Sequence, residues 1–90
     1  MHRIILTCDG VPMDVGQQAA MDIAKEFNEV RTPRYTNATC TFSDGRLVLS
    51  CDNDGWDSNG LNLMDELSDC LSAYLPPFDG DLILISATVL

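Results

Sequence analysis

Side chains that could bind a metal ion are concentrated in one loop, residues 52–59. Six of them carry oxygen atoms: Asp52, Asn53, Asp54, Asp57, Ser58 and Asn59. Oxygen atoms at this density are typical of Ca²⁺ sites. However, an EF-hand loop begun at Asp52 would place Trp56 and Leu63 at positions 5 and 12, where the ion needs oxygen ligands. The spacing favours a polar loop without metal, in which Ser58 or Asn59 caps a following helix.

Groups suited to catalysis are sparse along the whole chain. The single histidine, His2, lies at the start of the sequence, so a Ser-His or Cys-His pair has no convincing base. No phosphate-binding loop or dinucleotide-binding motif occurs. The many carboxylates are expected to be solvated rather than tuned for catalysis. We therefore predict a protein that is not an enzyme and that binds no cofactor.

Four cysteines, Cys8, Cys40, Cys51 and Cys70, are spaced too widely for the C-x-x-C pairs of a zinc site. They also come without a signal sequence, which argues against a secreted disulfide framework. In the hairpin register given below, Cys40 and Cys51 are diagonal neighbours about 7 Å apart, which is beyond disulfide reach. We expect reduced cysteines in the core.

Trp56 lies in the acidic loop, between Asp54 and Asp57. One interpretation is that its ring folds back as a lid over the core. The other is that the ring stands out as an anchor for a partner, because aromatic side chains in such surroundings are common hot spots. The sequence leaves both interpretations open.

The charge is strongly negative and unevenly distributed. The 90 residues contain 14 acidic and 5 basic side chains, giving a net charge of −9, and no base follows Arg46. Such a potential repels nucleic acid and anionic membrane surfaces and attracts basic partners. The sequence begins without an apolar signal segment, and the uncharged stretch 82–90 is too short to cross a bilayer. We expect a cytoplasmic protein that contacts neither nucleic acid nor membrane directly.

A β-hairpin over residues 36–51 organises the fold prediction. Asp44-Gly45 is a two-residue turn that suits the twist of paired strands, so Ser43 should lie opposite Arg46. The same register builds an apolar face from three cross-strand pairs: Phe42 with Leu47, Cys40 with Leu49, and Ala38 with Cys51.

Periodicity predicts four further elements in a single domain, 1–90. They are a strand at 2–8, a helix capped by Asp14 and ending near Glu29, a helix from near Gly60 to Leu75, and a strand at 82–89 whose inward face is ambiguous. Pro33 should force Thr32 into extended geometry, and residues 78–81 should turn the chain. The order predicts an α+β two-layer sandwich with two helices on one face of a four-stranded antiparallel sheet. This is the ferredoxin-like βαββαβ arrangement.

Families with this arrangement can be tested at their own residues. An RNA-recognition module needs aromatic and basic side chains on its central strands, where this chain has Ile5, Thr7, Val48 and Ser50. An acylphosphatase-like enzyme needs a cationic phosphate cradle, whereas the segment DGVPMD supplies two aspartates. DGVP before an alanine-rich helix is similar to ACT-like regulatory modules. That resemblance implies an alternative function, in which a homodimer binds an amino acid or similar small ligand near this loop.

The sheet also offers surfaces on which a homodimer or partner could form. The face turned away from the helices would expose Ile5, Val48 and one set of residues from the last strand. A homodimer through this outer face or through an edge strand is therefore possible.

The acidic second half predicts an inhibitor or binding module that docks on a basic surface which otherwise holds nucleic acid. In size and charge the chain resembles phage anti-CRISPR proteins and immunity proteins against nuclease toxins. The predicted partner-binding residues run from the loop along the second helix: Asp52, Asp54, Trp56, Asp57, Asp65, Glu66 and Asp69, with Asp79 and Asp81 as further carboxylates. The competing interpretation is that acidity only keeps a small domain soluble.

Overall fold

The computed structural model describes residues 1–31, 34–77 and 80–90. Along the chain the elements are β1 (His2–Cys8), α1 (Gly16–Glu29), β2 (Thr36–Ser43), β3 (Arg46–Asn53), α2 (Leu61–Tyr74) and β4 (Leu82–Val89). The strands form one antiparallel sheet in the order β2-β3-β1-β4. The predicted ferredoxin-like two-layer arrangement is confirmed.

Three sequence predictions fall outside the described part of the chain. They are the extended geometry of Thr32 before Pro33, the start of the predicted turn at Phe78 and Asp79, and the place of Asp79 on the acidic surface. Among the residues that the structure does describe, no helix is long and apolar enough to cross a membrane.

The β2–β3 hairpin forms with the predicted register near its turn. Ser43 pairs with Arg46, Phe42 with Leu47 and Cys40 with Leu49. Asp44 and Gly45 have φ values of 50° and 81°, the left-handed geometry that a two-residue hairpin turn requires.

The predicted pairing of Ala38 with Cys51 is wrong, because β2 bulges between Thr36 and Thr39. The bulge places Asn37 in the left-handed region, with φ 53°, where asparagine is among the more tolerant residues. The side chain of Asn28 in α1 stabilises the bulge through two hydrogen bonds with its backbone. Its amide donates to the Ala38 carbonyl at 2.9 Å, and its oxygen accepts the Ala38 N–H at 3.0 Å.

The core lies between the inward sheet face and the inward stripes of both helices. Its largest contributors are Tyr35 from the segment before β2, Ile4 and Leu6 of β1, Leu47 and Leu49 of β3, Ile23 and Phe27 of α1, and Leu63 and Leu67 of α2. All four cysteines are free thiols, three of them buried and Cys40 partly buried, as predicted. Burial raises the pKa of Cys40 and Cys51 to about 12, so both thiols stay protonated at neutral pH.

A second bulge resolves the ambiguous inward face of β4. The pairing of β4 with β1 shifts between Ile5 and Leu6, which leaves Ile85 as the extra residue. Leu82 and Leu84 therefore lie beside the buried β1 residues Cys8 and Leu6, and after the bulge Ala87 lies beside Ile4. The inward face of β4 therefore consists of Leu82 and Leu84 before the bulge and Ala87 after it, because the extra residue reverses the alternation of side chains.

The start of α1 differs from the prediction that Asp14 caps it. Its N-cap is Val15, and no side chain caps the helix within the described residues. Instead, the Pro12 carbonyl accepts the N–H groups of Val15 at 3.3 Å and Gly16 at 3.0 Å, so the chain enters the helix through a turn. That turn leaves Asp14 exposed to solvent.

Candidate acidic interaction surface

The acidic loop 53–59 is held together by its own polar groups. Asn53, only 2% exposed, accepts the N–H groups of Gly55 at 2.8 Å and Asp57 at 3.3 Å. Its amide donates to the Asp57 carbonyl at 3.1 Å. In the described part of the chain, no three His, Cys, Asp or Glu residues come together as a metal site.

Asp57 is a structural cap and not a surface residue, which corrects its predicted role in partner binding. Its carboxylate is 1% exposed and accepts the N–H groups of Asn62 at 3.2 Å and Leu63 at 2.9 Å, at the start of α2. It also accepts the hydroxyl of buried Tyr35 at 3.2 Å. Burial and the nearby Asp57 carboxylate raise the pKa of Tyr35 well above its usual value. The predicted cap Asn59 contributes only a bond from the Leu61 N–H, at 3.1 Å.

Asp52 is also removed from the predicted surface, because it is 2% exposed on the sheet face away from the helices. It accepts two bonds from the Arg3 guanidinium, at 2.8 and 3.1 Å, and one from the Asn37 amide at 3.1 Å. The bonds from Arg3, with that from Asn37, hold the pKa of Asp52 below its usual value although burial acts in the opposite direction. Asp52 therefore ties β3 to both of its neighbours, β1 and the β2 bulge.

We expect this carboxylate to contribute to acid unfolding. A lowered pKa in the folded state stabilises the fold above the unfolded value of about 3.9, and that contribution is lost as the pH falls through the folded value. Asp52→Asn should cost about 1–2 kcal/mol at pH 7, allowing for the half-exposed Arg3, and should flatten the decline below pH about 4. Urea unfolding across this pH range measures both effects. Asp54→Asn is the control, and an equally flattened curve for it would contradict the assignment.

Trp56 combines the two roles that its sequence left open. Its ring lies 5.6 Å from the buried Tyr35 ring, and its Nε1–H donates to the Arg34 carbonyl at 3.3 Å, so one side covers the core. The Arg34 guanidinium lies 4.9 Å from the centre of the Trp56 ring. The indole is still 41% exposed, beside exposed Asp54. The residue is thus a lid with one accessible side.

The acidic residues of α2 are brought together as predicted from their spacing. Asp65 and Asp69 lie one turn apart and are exposed, away from the buried stripe of Leu63, Leu67 and Cys70. Glu66 is half-buried at the boundary with α1, where its carboxylate contacts the Arg31 guanidinium.

Sequence reasoning missed a second acidic stripe on α1. Asp22, Glu26 and Glu29 recur at helical spacing and turn toward α2, where they line a depression of about 230 Å³ together with Lys25, Val30 and Tyr74. Tyr74 of α2 thus lies beside these α1 carboxylates, and desolvation together with the carboxylates of Glu26 and Asp22 raises its pKa. The spacing of the acidic residues at positions 22, 26 and 29 could have indicated this stripe. It was overlooked because acidic and basic residues nearly balance in the first half of the chain.

We call these two stripes together the acidic helix surface: Asp22, Glu26 and Glu29 of α1 with Asp65, Glu66 and Asp69 of α2. The cations among them are Lys25, 3.9 Å from Glu29, and Arg31, 4.0 Å from Glu26 and in contact with Glu66. Arg3 and Arg46 lie elsewhere, paired with Asp52 and Asp9. Six carboxylates against two cations leave this layer strongly negative, whereas the opposite sheet face carries a neutral ion pair.

The loop after β1, where the ACT-like alternative would bind its ligand, is closed by internal contacts. The Asp9 carboxylate accepts two bonds from Arg46, at 2.6 and 3.2 Å. Val11 is buried and donates its N–H to the Gly45 carbonyl at 2.9 Å. These contacts tie the loop to the hairpin turn, and the ACT-like function stays a prediction.

The chain was compared with protein-family models, curated proteins and solved structures, and none of the three comparisons gave a match.

Proposed function

We propose that this protein is a non-enzymatic inhibitor that docks its acidic helix surface on a basic, nucleic-acid-binding surface of a partner. The observation that supports this proposal is the concentration of negative charge on the helix layer. Six carboxylates of α1 and α2 share one layer with two cations. A charge distribution kept only for solubility has no reason to concentrate on one face.

Electrostatics explains how such a surface would compete with nucleic acid. A basic groove that neutralises phosphates is attracted to any closely spaced array of anions, and association is accelerated at low salt. Carboxylates three or four residues apart on a helix lie about 5–6 Å from one another. Two facing helices extend this array in a second direction, as the phosphates of two strands do.

Three features extend the proposal beyond the helices. Asp54 and the accessible side of Trp56 are adjacent in the loop before α2, and the indole is an apolar anchor of the kind that dominates interface energies. Asp81 is exposed immediately before β4. We also place this activity in the cytoplasm, because reduced thiols and nucleic-acid-binding partners belong there.

Removal of two charges from the surface tests the proposal. Asp65→Asn/Asp69→Asn should weaken partner binding about tenfold at low salt, with the difference shrinking as salt rises. Asp14→Asn/Asp44→Asn is the matched control, because it removes two exposed charges outside the acidic helix surface; asparagine also suits the left-handed geometry of Asp44.

The measurement is affinity capture from the source cells at low salt, with elution by a salt step and identification by mass spectrometry. The tagged wild type and both double variants are compared. We expect a basic nucleic-acid-binding protein to elute from the wild type and the control and to be depleted from the Asp65/Asp69 variant. Equal capture by all three proteins at low salt would overturn the proposal.

A further inference from the structure

Asn59 is the one asparagine of this chain that is followed by glycine. The residues after the five asparagines are Glu29, Ala38, Asp54, Gly60 and Leu63. An asparagine side chain loses its amide group when the backbone nitrogen of the next residue attacks its carbonyl carbon, and asparagine is for this reason a thermolabile residue. A side chain on the next residue obstructs that attack, whereas glycine lets the backbone come close. The sequence therefore directs this chemistry to Asn59.

The hydrogen bonds of the asparagine side chains single out the same residue. The amide nitrogens of the other four are held as donors: Asn28 to the Ala38 carbonyl at 2.9 Å, Asn37 to Asp52 at 3.1 Å, Asn53 to the Asp57 carbonyl at 3.1 Å, and Asn62 to Asp57 at 3.5 Å. Within the described residues, the amide nitrogen of exposed Asn59 donates no hydrogen bond. The group that has to leave is thus held by no bond at this position.

The attacking nitrogen and the attacked carbonyl of this pair are also prepared. The Asn59 side-chain oxygen accepts the N–H of Leu61 at 3.1 Å, an Asx turn that folds the side chain back over the Gly60 peptide. The same bond stabilises the negative charge that develops on this oxygen during attack. In the described part of the chain the Gly60 N–H donates no hydrogen bond, so its nitrogen attacks without breaking one.

We propose that Asn59 deamidates in the folded protein without an enzyme. The Gly60 nitrogen, after losing its proton to solvent, forms a bond to the side-chain carbonyl carbon of Asn59. The bond from that carbon to the amide nitrogen breaks, ammonia leaves with a proton from water, and a cyclic imide remains. One water molecule then opens the ring at either carbonyl and gives aspartate or isoaspartate. The sequence of steps needs water and involves no oxidation or reduction.

The two products affect the start of α2 differently. Both add a negative charge immediately before the N-cap Gly60, where the helix macrodipole favours it. Isoaspartate also lengthens the main chain by one carbon, because the chain then runs through the former side chain. Gly60 has little room to shift, since even a Cβ there would lie 2.7 Å from Cγ2 of buried Ile4. We therefore expect isoaspartate to displace the start of α2 and aspartate to leave it in place.

Incubation of the folded protein at neutral pH for several weeks, followed by peptide mapping with mass spectrometry, tests the proposal. We expect residue 59 to exchange its amide for a carboxylate at least about tenfold faster than any other asparagine, with both peptide isomers separated by chromatography. Asn59→Gln should slow the appearance of more acidic protein at least about tenfold, since the longer side chain closes a less favourable ring. Asn62→Gln is the matched control and should keep the wild-type rate.

Thermal unfolding of the separated products tests the consequence for α2. The isoaspartate form should melt about 4–8 °C below the wild type, whereas Asn59→Asp, which changes the charge alone, should melt within about 3 °C of it. An intact Asn59 after the incubation, equally fast deamidation of another asparagine, or undiminished acidification of Asn59→Gln would each overturn the proposal. Equal melting of the isoaspartate form and Asn59→Asp would overturn the displacement of α2. The inference is independent of the proposed function, because residue 59 lies outside the acidic helix surface.

Discussion

Asp57→Ala should lower the free energy of unfolding by about 3–4 kcal/mol, a large fraction of what a domain of this size has. The substitution removes the acceptor for two N–H groups of the first turn of α2, at Asn62 and Leu63. It also leaves the buried Tyr35 hydroxyl without its acceptor. Loss of a helix cap alone costs about 0.5–2 kcal/mol, and a buried unsatisfied donor adds about 1–3 kcal/mol.

Urea unfolding followed by Trp56 fluorescence is the measurement, because the indole packs on Tyr35. Asp54→Ala is the matched control: it deletes the same group three residues earlier, but Asp54 is exposed and accepts a single bond, from the Trp56 N–H at 3.4 Å. We expect a change within about 0.5 kcal/mol for that variant. Asp57→Asn, which keeps one acceptor oxygen, should fall between the two. If the two alanine variants unfold alike, Asp57 is not the cap.

Gly60→Ala should destabilise the fold by about 2–4 kcal/mol, through two separate effects. Gly60 has φ 77°, a left-handed conformation that costs other residues about 1–2 kcal/mol. A Cβ at this position would also lie 2.7 Å from Cγ2 of Ile4 and 3.2 Å from Cδ1 of Leu84. Ile4 is fully buried in the central strand β1, so it has little room to move.

Gly45→Ala separates the two effects. Gly45 has nearly the same backbone geometry, with φ 81°, but the nearest atom to an added Cβ is the Val11 carbonyl oxygen at 3.7 Å. This variant should lose only about 1 kcal/mol, and the difference between the two variants measures the packing of α2 against β1 and β4. If urea unfolding shows equal losses of stability for the two variants, the start of α2 shifts to accommodate the extra methyl group.

The fold could be predicted where local chemistry and hydrophobic pattern agree. Asp44-Gly45 determines the hairpin turn, and the apolar alternation that follows fixes the register as far as Thr39. Beyond that point the prediction failed because Asn37 takes a left-handed conformation, supported by Asn28 from a different element. The bulge at Ile85 could not be predicted either. Every residue around it is apolar or small, so the sequence has no alternation of apolar and polar residues that would mark the extra residue.

The candidate site could be predicted only in part, because carboxylates look alike in a sequence. Asp52 and Asp57 were grouped with Asp65 and Asp69 by proximity, yet the first two are buried acceptors and the last two are exposed. What distinguishes them is a set of distant donors, Arg3 for Asp52 and Tyr35 for Asp57. The contribution of α1 depends on which side of that helix faces α2, which is a property of the tertiary packing.

The strand order implies a sequence of folding events. The β2–β3 hairpin joins neighbouring residues and can form early, whereas β1 pairs with β4 across nearly the whole chain, from His2 to Val89. Until β4 arrives, one side of β1 is an open edge whose inward residues include Ile4 and Leu6. β4, which follows the other three strands in the sequence, thus covers the open side of β1, and the interval before it docks is when a newly synthesised chain is most exposed to aggregation.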